Sequence, residues 1–329
     1  MTEIDLAPLR PAIDEPLAAP SGEPRLEAAS PPGSELDARY RSLWSDAWHQ
    51  FKKHRGALVG LAILSTLVLI VALGPYVWTV SPSKLDPRHA NSGMTLLHPL
   101  GSDNIGRDIL AQIMTGGRVS LAVGISAMLV AISLGTTVGV LAGFFSRLDG
   151  LLMRMTDLFL ALPILPLLLV AILLFRDTLR AAFGPSTGIF LLIVTVIGIT
   201  SWMQTARIVR AEVLSLKERE FVLAARSIGT RSHRIILRHI LPNVLGPIMV
   251  SATLGIASAI ILESALSFLG LGFPPDFPTW GRLLYDGTNF MTINPERVIW
   301  PGLAISLTVL SVNFVGEGLR DALDPKLRS

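Results

Sequence analysis

The chain has 329 residues, of which 50% are hydrophobic and only 16% are charged. A water-soluble domain of this length could hardly bury so many apolar side chains, so the composition indicates a membrane protein. The formal net charge of +3 is too small to indicate a nucleic-acid partner, and the lack of cysteine excludes disulfides, thiolate metal sites and a cysteine nucleophile.

The N-terminal part of the chain divides into a polar tail and an amphipathic segment. Residues 1–38 are rich in proline, alanine and acidic residues, which predicts a disordered cytoplasmic tail, with a partner-binding arm as the alternative. Residues 39–56 carry apolar side chains at helical spacing and are predicted to form an interfacial helix. The basic end of this segment predicts a cytoplasmic N-terminus. The residues concerned are Leu43, Trp44, Trp48 and Phe51, followed by Lys52, Lys53 and Arg55.

Six apolar segments are long enough, allowing for tilt, to cross a hydrocarbon core of about 30 Å. We therefore predict an all-α polytopic membrane protein with six transmembrane helices. Residues 57–118 hold the first span and an extracytoplasmic loop, residues 119–318 hold a five-helix core, and residues 319–329 form a cytoplasmic C-terminus. The predicted spans are Ala57–Val80, Val119–Phe144, Leu151–Phe175, Gly188–Met203, Val244–Phe268 and Val298–Val315.

Two spans have distinctive patterns. The second span has glycines at every fourth residue, Gly135, Gly139 and Gly143, which indicates close packing within one subunit or a dimerisation seam. The third span contains Pro163 and Pro166, which predict a kink. At the start of the same span, Arg154 and Asp157 are at the spacing of an intrahelical ion pair.

The loop of residues 205–243 is basic and strongly patterned. Its first part is predicted to form a short helix that ends at Gly229. Ser232 is predicted to cap a second helix that ends where Pro242 turns the chain back into the membrane. The pattern fits either an interfacial hairpin or a surface that contacts another protein. The expected apolar face of the first helix consists of Phe221, Ala224, Ala225 and Ile228.

Residues 220–243, EFVLAARSIGTRSHRIILRHILPN, resemble the cytoplasmic coupling loop of bacterial ATP-binding-cassette (ABC) importer permeases. Three further segments resemble the second permease of the dipeptide, oligopeptide and nickel branch of that family. They are HPLGSDNIGRDIL at 98–110, ESALSFLGLGFPPDFPTWG at 263–281 and GEGLRDALDPKLR at 316–328. Ala111 and Gln112 depart from the branch's pattern.

The resemblance implies the type I ABC importer permease fold and a role as half of the translocation pathway for peptides or related small solutes. It implies a bacterial inner-membrane protein with both termini in the cytoplasm. The implied partners are a second permease subunit, two ATP-binding subunits and an extracytoplasmic solute-binding protein. The chain lacks a GxxxxGK[ST] loop, so no enzymatic activity and no bound cofactor are expected, with ATP and Mg on the ATP-binding subunits.

The resemblance also suggests site residues. The expected ATPase-coupling residues are Phe221, Ala224, Ala225, Arg226, Ile228 and Gly229, with Arg226 paired to an ATPase carboxylate. Contacts to the binding protein are expected from Asp103, Arg107 and Asp108, whose charges could instead simply be solvated.

Two expectations rest on the residues alone. Glu263 is expected to line the pathway or to form hydrogen bonds between helices. No metal site is expected, because the histidines lack a partner at the spacing of metal ligands. An ion-coupled secondary transporter is the alternative function, although no inverted repeat is detected. The cargo is left open among dipeptides, oligopeptides, nickel chelates, glutathione and antimicrobial peptides.

Overall fold

A computed structural model describes residues 43–323. The predicted tail at 1–38 and the end of the predicted cytoplasmic C-terminus, residues 324–329, lie outside the described residues. Within the described range the backbone is helical apart from loops and one isolated bridge between Ser102 and Asp108. The prediction of an all-α protein is therefore confirmed.

The helices follow one another with short connections, except for the long loop between the second and third. They are α1 (Leu43–Lys53), α2 (Arg55–Val77), α3 (Ile109–Phe144), α4 (Ser146–Ala161), α5 (Ile164–Phe183), α6 (Pro185–Leu216), α7 (Glu220–Ser227), α8 (Ser232–Ile235), α9 (Leu241–Phe268), α10 (Trp280–Thr288) and α11 (Glu296–Leu323). A 3-10 turn spans Pro87–His89, and a π-helical turn, Ile236–Ile240, joins α8 to α9.

Five of the described helical stretches are long and apolar enough to cross a membrane, and the bent pair α4 and α5 supplies a sixth if it counts as one span. Several boundaries differ from the prediction. α3 begins at Ile109, ten residues before Val119, because the carboxylate of Asp108 accepts a hydrogen bond from the amide of Ala111 at 2.7 Å and caps the helix. α6 continues to Leu216, and two arginines in this extension pair with acidic side chains of α4.

The predicted third span is two helices rather than one kinked helix. α4 and α5 meet at 88° across Leu162 and Pro163. Leu162 has an extended backbone, with φ −76° and ψ 135°, because the proline ring disfavours the helical region for the residue before it. A proline in this position ends a helix, and the chain turns before α5 begins at Ile164.

The glycine series of α3 packs against α6. A Cβ atom added at Gly135 would lie 2.7 Å from the carbonyl oxygen of Trp202, and one at Gly139 would lie 2.6 Å from that of Ala206. At Gly143 the added atom would lie 2.7 Å from the Cβ of Val213. These distances are too short for real atoms, so the glycines allow the two helices to approach closely within the subunit.

The helix after Gly229 also differs from the prediction. Arg231, not Ser232, is the capping residue, and no side chain caps this helix end. Pro242 does not end the helix, since α8, the π-helical turn and α9 form one stretch from Ser232 to Phe268. In the wider turn the amide of Leu241 donates to the carbonyl of Ile236, and Pro242 follows in the first turn of α9.

The first helix is attached to the bundle. Phe51, at 6% exposure, and Ala47 pack with Ala57 of α2 and Ala322 of α11. Trp48 is 50% exposed and stacks on the ring of Phe51 with 5.7 Å between ring centroids. The helix therefore buries one apolar face in the protein and leaves Trp48 available to the surroundings.

Candidate functional site

The helix α7 lies at the end of the bundle where α3 and α6 end. Val222 is fully buried and Ala225 is 7% exposed. Both residues belong to an apolar cluster that includes Val209 and Val213 of α6. The same cluster includes Ile235, Ile240, Val244 and Ile248 of the following helix, so α7 is held against both α6 and α9.

The outer face of α7 is apolar and exposed. The exposed fractions are 43% for Phe221, 41% for Leu223 and 82% for Ile228, and Ala224 is exposed between them. The predicted face of Phe221, Ala224, Ala225 and Ile228 is thus wrong for Ala225, which points into the chain's own core. It also omitted Val222, whose spacing of three residues from Ala225 was the available signal.

Gly229 ends α7 in a Schellman motif. Its φ is +76°, in the left-handed region that glycine adopts without steric cost. The amide of Gly229 donates to the carbonyl of Arg226 at 3.0 Å, and the amide of Thr230 donates to that of Ala225 at 3.1 Å. The predicted helix end at Gly229 is confirmed.

Arg226 lies over the ring of Phe144 at the end of α3, with 5.8 Å from its guanidinium carbon to the ring centroid. This cation–π contact places the exposed guanidinium beside the outer face of α7. The sequence predicted an ATPase carboxylate as its partner, and within the chain its described aromatic partner is Phe144.

Two ion pairs connect α4 to α6 near the same end. Arg210 donates two hydrogen bonds to Asp149, at 2.5 and 2.7 Å, and Arg207 donates one to Asp157 at 2.5 Å. The predicted pair between Arg154 and Asp157 is therefore wrong, because Asp157 pairs with α6 instead of its own helix.

A cavity of about 410 Å³ lies between α3, α4, α5, α6 and α9. Its lining in the described chain is apolar with a few hydroxyl and amide groups and no charged side chain. The polar lining residues are Thr200, Ser201, Gln204, Thr205, Ser251 and Ser258. Such a surface can donate and accept hydrogen bonds without selecting for the charge of a ligand.

Glu263 lies outside the lining of this cavity and is fully buried. Its carboxylate accepts hydrogen bonds from Ser120 of α3 at 3.0 Å and Ser267 of α9 at 2.7 Å. The hydroxyl of Ser120 in turn accepts from the amide of Trp280 at 3.2 Å. The sequence left two alternatives for Glu263, lining the pathway or hydrogen bonding between helices. The structure contains the hydrogen bonds between helices.

The three charged loop residues that were expected to contact a binding protein form hydrogen bonds or ion pairs within the chain. Asp103 is 5% exposed and accepts from the side chain of Arg107 at 2.6 Å. Asp108 is 1% exposed, caps α3 and accepts from Trp78 at 3.2 Å. The two carboxylates therefore organise the loop, and the contact of Asp103, Arg107 and Asp108 with a binding protein stays a prediction.

The same loop contains a cluster that the sequence analysis missed. Asp86, His89 and His98 each offer a potential metal-ligand atom, and these atoms all lie within 4.8 Å of one another. Asp86 and His89 are three residues apart across the 3-10 turn, a spacing that could have drawn attention to them. The statement that the histidines lack such partners is therefore wrong.

Known proteins resemble this chain over most of its length. The family described as "binding-protein-dependent transport system inner membrane component" matches residues 135–329, and "N-terminal TM domain of oligopeptide transport permease C" matches residues 42–99. The dipeptide transport system permease protein DppC of Alkalihalophilus pseudofirmus is 41% identical, over 88% of this chain and 91% of that protein.

Two further proteins are similar to the chain. The oligopeptide transport system permease protein OppC of Bacillus subtilis is 34% identical, over 95% of this chain and 97% of its own length. A solved structure of the MetNI methionine ABC transporter in an inward-facing conformation is similar over 64% of this chain and 94% of that chain, with 17% identity and a TM-score of 0.49.

Proposed function

The chain belongs to the family of binding-protein-dependent transport system inner membrane components, and we propose that it forms half of the translocation pathway of an ATP-driven importer of dipeptides or oligopeptides. The observation that carries the proposal is the exposed apolar face of α7, which stays uncovered while the opposite face is fixed in the core. Such a surface fits a groove on an ATP-binding subunit.

Movement of α7 would be transmitted to the cavity by buried contacts. Val222 and Ala225 share an apolar cluster with α6 and α9, the two helices that contribute Thr205, Ile208, Ser251 and Leu254 to the cavity. Since a packed core moves in discrete steps rather than deforming smoothly, displacement of α7 by an ATPase would tilt these helices and change access to the cavity.

The cavity lining supports peptide cargo. A transporter of varied peptides has to bind the common backbone without requiring one side-chain charge, and hydroxyl and amide groups such as Gln204 and Ser251 can do so. The names of the relatives DppC and OppC point to the same class of cargo. A second permease would supply the other wall, and an extracytoplasmic binding protein would deliver the peptide.

The ATP and Mg belong, in this proposal, to two ATP-binding partner subunits, and the chain itself has no enzymatic activity. We place α7 and both termini in the cytoplasm of a bacterium, with the chain in the inner membrane. The arginines of the α6 end and the adjoining loop support this orientation. They include Arg207, Arg210, Arg219, Arg226 and Arg231.

The absence of cysteine from the chain makes the orientation directly measurable. Leu96, at 99% exposure in the loop between α2 and α3, and the exposed Ser227 of α7 can each be changed to a single cysteine. On intact spheroplasts a membrane-impermeant maleimide should label Leu96→Cys and spare Ser227→Cys. The reverse pattern would refute the orientation.

The coupling role is tested by a bulky substitution on the outer face of α7. A tryptophan at the exposed Ala224 should abolish peptide uptake and peptide-stimulated ATP hydrolysis, while the purified complex keeps its normal thermal unfolding temperature. Ala182→Trp, at another exposed alanine on α5, is the matched control and should leave uptake unchanged. Normal uptake with Ala224→Trp would refute coupling through α7.

Copurification distinguishes the proposed ATP-driven importer from an ion-coupled secondary transporter. The tagged chain in mild detergent should recover a second permease and ATP-binding subunits, with ATPase activity in the eluate. A lone chain that transports without ATP would replace this proposal with the secondary transporter.

A further inference from the structure

We propose that Asp86, His89 and His98 form a binding site for a divalent transition-metal cation of the zinc class in the loop between α2 and α3. This loop precedes the start of α3, whereas α7 lies near the end of α3, so the site is at the opposite end of the bundle. It is independent of the peptide-importer proposal, since its test requires no transport.

The three side chains converge from different parts of the loop. Asp86 precedes the 3-10 turn, His89 ends it and His98 comes from a later turn. Their potential ligand atoms lie within 4.8 Å of one another, and the two imidazole ring centroids are 5.6 Å apart. Ligands around a tetrahedral zinc ion with bonds of about 2.0–2.1 Å are about 3.4 Å apart, so small side-chain rotations would complete the site.

The carboxylate of Asp108 fixes the ring of His98. Nδ1 of His98 lies 2.9 Å from a carboxylate oxygen of Asp108, and the Asp108 side chain is fully buried. An ionised carboxylate only accepts hydrogen bonds, so this contact places the proton of a neutral His98 on Nδ1 and leaves the lone pair on Nε2. A metal-ligating histidine usually donates its other ring N–H to a carboxylate or carbonyl in this way, and the contact fixes the tautomer and the orientation of the ring.

His89 lies directly beside the carboxylate that is itself a proposed ligand. Its Nδ1 is 2.9 Å from a carboxylate oxygen of Asp86, close to the spacing of two ligand atoms on one zinc ion, so a cation bound by both atoms would replace the proton of this hydrogen bond. Two neutral imidazoles and one carboxylate are a ligand set that suits zinc, with an open position for water.

The space and charge around the cluster fit a cation. A cavity of about 150 Å³ lies against these residues, which leaves room for one or two water ligands. The charged side chains that face it are Asp86, Asp108 and Lys84, and Lys84 is exposed at its edge. Two carboxylates and one ammonium leave a net negative charge for the incoming metal.

A bound ion would connect separate segments of the loop. Gly106, with φ +82°, already lies so close to the backbone of Asp86 that a Cβ atom there would overlap the Asp86 carbonyl oxygen. The cation would add a second link, from the 3-10 turn to His98 and through Asp108 to the start of α3. Metal binding should therefore stabilise the loop against proteolysis as well as produce a spectroscopic signal.

The test uses the full chain purified in detergent with an affinity tag that contains no histidine. Co²⁺ serves as a visible probe, and Zn²⁺ serves as a colourless competitor. The wild-type chain should bind one Co²⁺ with ligand-field absorption, and Zn²⁺ should abolish that absorption. His89→Gln and Asp86→Asn should each weaken Co²⁺ binding at least about tenfold.

The variants are chosen so that folding and binding can be separated. The His89 side chain is 42% exposed, so His89→Gln should elute and unfold like the wild type. His233→Gln and His239→Gln, both in the segment after α7, are controls that should keep full Co²⁺ binding. No Co²⁺ absorption by the folded wild-type chain, or unchanged binding in His89→Gln, would overturn the proposal.

Discussion

Arg210 of α6 donates hydrogen bonds to both carboxylate oxygens of Asp149 on α4, at 2.5 and 2.7 Å. A fork-to-fork pair of this kind fixes the angle between the two side chains as well as their distance. It therefore joins the short helix before the 88° bend to a helix that lines the cavity.

We expect Asp149→Asn to lower the free energy of unfolding by about 1 kcal/mol, because both side chains are partly exposed and the pair is partly screened by solvent. Thermal unfolding in detergent measures the loss. The exchanged pair, Asp149→Arg with Arg210→Asp, should be more stable than either single exchange. If the double variant is no more stable than the single variants, the ion pair makes no specific contribution to stability.

The contact between α3 and α6 gives a second prediction. A methyl group at Gly139 would lie 2.6 Å from the carbonyl oxygen of Ala206 and 2.8 Å from the Cβ of Val209. Because backbone atoms cannot move aside cheaply, Gly139→Ala should destabilise the chain by about 1–3 kcal/mol, measured as a fall in unfolding temperature.

Gly150 supplies the control for that substitution. It lies in α4 with no atom within 4 Å of an added Cβ. Gly150→Ala should be neutral or should stabilise the chain by up to about 1 kcal/mol, since alanine is the better helix former. Equal effects at the two positions would argue against close packing at Gly139.

The features that the sequence predicted well depend on local patterns. The lengths of the apolar segments predicted the spans, and the glycine spacing predicted the close packing of α3, which is against α6. Gly229 predicted the end of α7. Pro163 marked the place where the third span breaks. Its 88° angle depends on what each helix packs against, and a single sequence does not specify that.

The features that the sequence missed depend on residues that are distant along the chain. Asp157 and Arg207 are 50 positions apart, whereas the predicted partner Arg154 lies in the next turn of the same helix. On α7, Phe221 with Ala224 and Val222 with Ala225 are two apolar pairs at the same spacing. Only the packing of α6 and α9 decides which of them faces inward.

Gly229 offers a test of the backbone conformation that ends α7. No atom lies within 4 Å of a Cβ added there, so any penalty comes from its φ of +76° rather than from a collision. We expect Gly229→Ala to cost about 1 kcal/mol and Gly229→Asn less, because asparagine tolerates the left-handed region better.

The two variants should also differ in function, since a poorly ended α7 presents its outer face at a less defined angle. Peptide-stimulated ATP hydrolysis by the assembled complex should decrease in the order glycine, asparagine, alanine at position 229. A flat series would mean that the Schellman motif does not contribute to coupling.

Glu263 gives the last prediction. Its carboxylate accepts from Ser120 and Ser267 and joins α9 to α3 and, through Ser120, to the amide of Trp280. Glu263→Gln preserves the shape and can keep both contacts, because each serine hydroxyl can also accept a hydrogen bond. Peptide uptake and the unfolding temperature of Glu263→Gln should stay close to those of the wild type.

Glu263→Ala leaves buried hydroxyls without a partner and creates a cavity, and it should lower the free energy of unfolding by about 2–5 kcal/mol. Uptake lost in Glu263→Gln, with the unfolding temperature unchanged, would instead assign the carboxylate a role in translocation and contradict the structural role.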